Sequence, residues 1–179
     1  MHASALAPVP SDWLTRHRDE LPRSGHALDV ACGRGRHALW LASQGFETLA
    51  LDGDAVAIEA LRGEARRHGL HLRAEVRDLE AGAPSIAAGH YAVIVVVHYL
   101  HRSLIPALIS ALAPGGCLVY ETFTLAQATR GRPTNPNFLL ESGELVRLVQ
   151  PLKILRHREG DVDGRMLASV IARQAPATR

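Results

Sequence analysis

With 179 residues and 20 Lys and Arg against 18 Asp and Glu, the chain carries a net charge of +2; it is long enough for one filled core and too short for a cofactor domain plus a separate substrate domain. Nearly all the basic residues are arginines, and they are scattered, with small groups only at 62–67 and 156–158, which argues against the clustered basic face that binds nucleic acid. No apolar run approaches the roughly 18 residues needed to span a bilayer, and residues 1–10 lack the basic start and apolar core of a secretory signal. The expectation is a single domain over 1–179, with 1–10 a loose tail and 11–24 an N-terminal helical cap.

Residues 12–21 fit a short amphipathic helix with Trp13 and Leu14 on one side, closed by Pro22 and a turn at Gly25. Alternation of strand and helix then sets in: strand 27–31, helix to Gln44 with Gly45 as its cap, strand 47–51, helix 55–68 with Gly69 as its cap, strand 71–76. Such alternation predicts a parallel sheet. Residues 79–90 are few for a crossover helix and are expected to be partly irregular. The run 92–97 has no polar alternation, so it predicts a central strand covered by helices on both faces.

Leu104, Leu108 and Leu112, with Ile105 and Ile109 beside them, predict a helix that stops at Ala113-Pro114-Gly115-Gly116. Strand five is then 117–122, and the Thr, Pro, Gly, Arg and Asn of 123–137 form a loop at its carboxyl end, the edge where open α/β sheets bind ligands. A helix over 144–149 precedes a closing pair of strands, 154–157 and 167–172, joined by a turn over 160–164. So short a connection makes these two antiparallel.

Within this order the chemistry concentrates after strand one. Asp29 ends an apolar strand that runs into Cys32-Gly33-Arg34-Gly35, and the two glycines can take positive φ and let a ligand lie against the backbone. A pyrophosphate turn normally keeps carboxylates out, whereas a carboxylate four residues before Gly33 suits a cation. The looser G-x-G-x-x-A form of the NAD fingerprint is also satisfied by Gly33, Gly35 and Ala38, so the remaining residues must decide. Cys32 and Cys117 sit in apolar surroundings and read as small buried hydrophobes in a reducing compartment, the cytoplasm, rather than as a disulfide.

The pattern Asp29-x-Ala31-x-Gly33-x-Gly35 resembles the first motif of class I S-adenosylmethionine-dependent methyltransferases, with Ala31 where a glycine is usual. The likeness extends over residues 28–173. It implies a three-layer, Rossmann-like α/β sandwich whose seven-stranded sheet has the order 3-2-1-4-5-7-6, with only the last strand antiparallel, and S-adenosylmethionine as cofactor. On that likeness Asp29 serves the cofactor's ammonium, the amides around Gly33 to Gly35 its amino-acid part, Asp52 the ribose, and Asp78 and Leu79 the adenine, with Ala31, Cys32, Gly53 and Val97 also among the cofactor-binding positions. A carboxylate at Asp52 can accept from both ribose hydroxyls at once. The stretches 33–42 and 135–145 are similar to the small tellurite-resistance-type and thiopurine-type methyltransferases, which implies a small soft acceptor: a metalloid oxyanion, a thiol or a small metabolite.

His98 and Tyr99, just past strand four, are the acceptor-side candidates, together with Arg132 and its neighbour Arg130, whose forked donors suit an anion. Arg158 and Arg165 near the closing hairpin have similar standing. The Asp or Asn followed by two prolines and an aromatic, common among enzymes that methylate base amino groups, is absent here, which counts against that substrate class. His98 and His101 lack a third ligand at suitable spacing, so no metal is expected. Trp13 and Trp40 read as packing residues, and Trp13 is also placed to close over the site. Two alternatives remain open at this point: an NAD-dependent reductase, disfavoured because Lys153 is the only lysine, and a non-catalytic cofactor-binding module. The expected partners are a small-molecule acceptor, no nucleic acid and no membrane, with the chain a monomer or weak homodimer.

Overall fold

The computed structural model describes residues 9–81 and 86–177. One seven-stranded sheet organises them, in the order β3-β2-β1-β4-β5-β7-β6. Its strands are β1 His26–Val30, β2 Glu47–Asp52, β3 Leu72–Val76, β4 Tyr91–Val97, β5 Leu112–Phe123, β6 Lys153–Val162 and β7 Arg165–Arg173. The first five pair in parallel, and β7 runs against both β5 and β6, so it alone is reversed. The helices are α1 Asp12–Arg16, α2 Arg36–Ser43, α3 Ala55–Arg67, α4 Ile105–Ala111 and α5 Glu144–Leu148.

Side-chain alternation along the strands divides the core into two layers. Leu28, Val30, Ile94, Val96, Leu118 and Tyr120 face α4 and α5. Ala27, Val93, Val95, Val97 and Val119 face α1 and α2, and Ala50 and Ala74 face α2 and α3. The run at β4 is therefore central and buried on both sides, as its continuous apolarity predicts.

Several boundaries depart from the sequence reading. The helix expected over 12–21 ends at Arg16, where His17 takes φ −107° and ψ 25°, and a short 3₁₀ turn Arg18–Glu20 follows. The helix ending in the Leu104–Leu112 series stops at Ala111, because Leu112 already pairs with Tyr91 in the sheet. Gly116 belongs to β5 as well, and a Cβ there would lie 2.7 Å from the Tyr91 carbonyl, so the glycine permits close strand approach rather than a helix stop. In the closing hairpin the expected 160–164 turn shrinks to Asp163-Gly164, at φ 50° and 80°. Asp-Gly is the two-residue signature that matches the right-handed twist of long paired strands, and it extends β6 and β7 by several residues. The 123–137 loop contains two 3₁₀ turns, Leu125–Thr129 and Pro136–Phe138. Between β3 and β4 no helix occurs among the described residues. The tail expectation for 1–8 lies outside them.

Candidate active site

The carboxyl ends of β1, β2, β3, β4 and β5 meet along one edge of the sheet, and the turn after β1 is the most constrained part of it. Gly33 and Gly35 have φ 53° and 78°. A Cβ on Gly33 would meet nothing within 4 Å, whereas one on Gly35 would fall 2.3 Å from Leu61 Cδ1. The two glycines thus do different work: Gly33 keeps an open cradle above the turn, and Gly35 lets α2 start against α3. Ala31 also takes a left-handed conformation, φ 54°, the region that glycine occupies without cost.

Asp52 ties that turn to the end of β2. Its Oδ2 accepts from the Gly33 amide at 2.7 Å and its Oδ1 from the Asp54 amide at 2.9 Å, which fixes a half-buried carboxylate beside the cradle. The Asp52 carbonyl accepts from Arg77 N at 2.8 Å, joining β3 to the same edge. Asp78 Oδ1 caps its own turn through the Glu80 and Ala81 amides, and Leu79 beside it is buried.

Asp29, near the end of β1, also caps a helix. On the α2-facing side of β1 and 1% exposed, it accepts from the Ala38 amide through Oδ2 at 2.9 Å and so caps α2 from below. Its Oδ1 is buried and has no hydrogen-bond partner among the described residues. Burial raises its pKa from 3.8 to about 7, against the lowering pull of the Ala38 amide and Arg36. A buried carboxylate with one unused oxygen is fitted to receive a cation.

His98 and Tyr99, adjacent in sequence, separate in space. Tyr99 packs against the α4-side core, its hydroxyl is buried and has no hydrogen-bond partner among the described residues, and its pKa is raised to about 12, first by burial and then by Glu80, Asp78 and Asp52. His98 has φ 59°, is held by its amide to the Glu121 carbonyl at 2.8 Å, and stacks on Phe123 with ring centroids 4.7 Å apart. A non-glycine residue held in that region at a strand end marks a position fixed by its surroundings. Burial lowers the His98 pKa first, then Arg36; Glu121 opposes and Arg165 lowers it further.

Around His98 lies a cavity of about 350 Å³ lined also by Val9, Pro10, Arg36, Glu121, Arg158 and Arg165. Neither arginine singled out in the 123–137 loop lines it. Arg130 is tied to Asp161, and Arg132 is exposed, its carbonyl accepting from Gln127. No local signal in the sequence marks Arg36, nor His37, which is buried next to it with an Nε2 that has no hydrogen-bond partner among the described residues and a pKa lowered to about 3 by burial, Arg36 and His98. Val97 and Cys32 are buried beside the cradle, and burial pushes the Cys32 thiol up, so it stays protonated.

A glycine turn beside two carboxylates, at the carboxyl edge of a mostly parallel sheet, suits a nucleoside that bears a cationic amino-acid group. Residues 27–116, half of the chain, match the methyltransferase domain family, and the chain belongs to it. The chain thus carries a class I S-adenosylmethionine-dependent methyltransferase domain, whose cofactor is S-adenosylmethionine. Two solved structures share the fold: an S-adenosylmethionine-dependent methyltransferase of Methanosarcina mazei, 20% identical with TM-score 0.70 over 90% of this chain and 98% of that one, and TehB of Haemophilus influenzae, 19% identical with TM-score 0.77 over 96% of this chain and 64% of that one. Among curated proteins, hemagglutinin 1 of Eikenella corrodens is 28% identical over 138 residues, 74% of this chain. The chain spans 45% of that relative's length.

The residues present fit the cofactor. Gly33 leaves the open cradle, Asp29 Oδ1 is a buried acceptor without a partner among the described residues that would take its ammonium, and Asp52 is a half-buried carboxylate that would take its ribose. When bound, S-adenosylmethionine supplies a methyl group on a positively charged sulfur.

Proposed function

We propose that this methyltransferase acts on a small anion, a metalloid oxyanion or a thiolate, seated in the cavity around His98. The observation that carries this reading is the charge left in that cavity after its internal pairs are counted. Arg158 pairs with Glu121, and Asp12 with Arg16, which leaves the Arg36 and Arg165 guanidiniums against Asp163. Arg36 makes one hydrogen bond to the Val9 carbonyl at 3.4 Å, and Arg165 makes none among the described residues. A volume of about 350 Å³ suits a small acceptor and is too confined for a polymer. The likeness of 33–42 and 135–145 to tellurite-resistance-type and thiopurine-type enzymes supports the same class.

The protein's own work in this reading is positional. Arg36 and Arg165 hold the anion. His98, kept unprotonated at neutral pH by burial and the two arginines, takes a proton at its ring nitrogen from an acceptor that arrives protonated. Alignment of two bound reactants is worth effective molarities of up to about 10⁵ M or more, so no dedicated triad is required. Net charge, the scattered arginines and the two buried free cysteines support a cytoplasmic monomer or weak homodimer without nucleic-acid or membrane partners. No helix among the described residues is long and apolar enough to cross a membrane.

The test is S-adenosylhomocysteine formation by the purified protein with tellurite, selenite, small thiols and neutral amines as acceptors. Turnover with an anion or thiol is expected, lost in Asp52→Ala and with a raised KM in Arg165→Ala. Turnover with amines alone would sink the anion reading. Binding of S-adenosylhomocysteine without turnover on any acceptor would favour a cofactor-binding module.

A further inference from the structure

The register of the last three strands puts three polar side chains in line on the α1-facing side of the sheet. Glu121 on β5 lies opposite Ser169 on β7, and Ser169 lies opposite Arg158 on β6. Glu121 and Ser169 sit where the flanking positions are apolar, Val119 and Ile171 among them, and are 4% and 0% exposed. Polar groups so placed persist only when their hydrogen bonds are made. Here they are: Ser169 Oγ donates to Glu121 Oε2 at 2.7 Å, Arg158 Nη2 donates to the same oxygen at 2.9 Å, and Arg158 Nε donates to Ser169 Oγ at 3.1 Å. Glu121 Oε1 accepts from Ser11 Oγ at 2.7 Å, and that hydroxyl in turn caps α1 by accepting from the Trp13 amide at 3.2 Å. The Trp13 ring lies under the guanidinium, 4.6 Å from Cζ to centroid.

Arg158 is therefore gripped on one edge by two neighbours and on one face by an indole. Its third nitrogen, Nη1, has no hydrogen-bond partner among the described residues, and the side chain lines the cavity around His98. A guanidinium presents its donors in a fixed plane, so fixing Nε and Nη2 fixes the direction of Nη1 as well. We infer that Glu121, Ser169 and Trp13 are positioning residues that preset Arg158 to offer Nη1 to an anionic acceptor, with Ser11 coupling the start of α1 to the same frame. The inference rests on the anion reading of the cavity. An arginine free to rotate must be ordered when its ligand arrives, and a preset one has already been ordered by folding.

Charge alone gives a different expectation. Glu121 opposes anion binding through its field, so a role limited to charge makes affinity insensitive to any change that keeps the charges where they are. Two such changes break the frame. Ser169→Ala removes the hydroxyl that joins Glu121 to Arg158, and Glu121→Asp keeps the carboxylate while shortening its reach by one methylene. The experiment is calorimetric titration of the full chain, saturated with S-adenosylhomocysteine, with sodium selenite as the probe.

Both variants should bind selenite about five- to tenfold more weakly than the wild type, the loss expected when one long side chain must be immobilised on binding. Their affinity for S-adenosylhomocysteine should stay within about twofold of wild type, since the cradle on β1 and β2 is untouched; that constancy also reports that the chain has folded. Where Glu121→Asp fails this folding check, Ser169→Ala alone carries the comparison. Wild-type selenite affinity in the folded variants would overturn the frame while leaving the anion reading intact. Absence of selenite binding to the wild type would overturn both.

Discussion

Replacing Asp29 by Asn tests the role of the buried carboxyl beneath α2. A carboxyl moved from 3.8 to about 7 by burial is protonated in the folded chain and ionised in the unfolded one over the intervening pH range. Its contribution to stability is fully present below the unfolded value and is lost as pH rises through the folded one, a total of about 4 kcal/mol. Between about pH 5 and about pH 8 the loss amounts to about 2.5 kcal/mol from this one group. Asn keeps an oxygen for the Ala38 amide at the same place and never ionises, so the variant should escape that loss. Urea unfolding of both proteins at the two pH values gives the difference in stability, with other titrating groups cancelling. Asp29→Asn should become more stable relative to wild type by about 2.5 kcal/mol on going to the higher pH. A difference that stays flat would refute the burial argument. Cofactor binding should reverse the preference, because a cation beside Oδ1 favours the ionised form. S-adenosylhomocysteine binding below about pH 7 is then expected to release a proton, seen as a buffer-dependent binding enthalpy.

The turn after β1 gives two predictions of opposite sign. Ala31→Gly relieves a left-handed alanine at φ 54° and should stabilise the chain by about 1 kcal/mol, even after the extra entropy of glycine in the unfolded state, read as a raised urea midpoint. Gly35→Ala should destabilise it by about 3 kcal/mol in the same assay, since φ 78° and a Cβ 2.3 Å from Leu61 Cδ1 both oppose it. Arg102 joins the region after β4 to α5, donating to Glu144 Oε1 at 2.6 Å and Oε2 at 2.9 Å and to the Asn137 and Leu139 carbonyls. Arg102→Ala should cost about 2 kcal/mol, because it strands a largely buried carboxylate and two carbonyls, and thermal unfolding would show it.

The sheet was legible because its signals are local. Apolar runs of strand length, helices capped by Gly45 and Gly69, and the continuous apolarity of β4 each follow from spacing within a dozen residues. Boundaries slipped where pairing competed with local preference: Leu112 has helical spacing, yet the sheet claims it opposite Tyr91, and Asp163-Gly164 makes a tighter turn than a glycine-bounded loop implies. The turns that follow β1 and β2 were legible for a related reason, since the positive φ of Gly33 and the strand-end position of Asp52 are local features that the Gly33–Asp52 hydrogen bond joins.

What only the tertiary structure decided is which distant side chains share a face. The sequence marks Asp29 as an acid suited to a cation; its burial, its cap on Ala38 and the oxygen left without a partner among the described residues exist because α2 folds back over β1. Of the four arginines that the sequence offered as acceptor-side candidates, Arg158 and Arg165 line the cavity around His98 and Arg130 and Arg132 do not, while Arg36 joins them from the start of α2. Glu121, Ser169 and Arg158 lie far apart along the chain, and strand register alone aligns them. A one-residue slip in either pairing would send one of them to the opposite face, and no local pattern of residues encodes that choice.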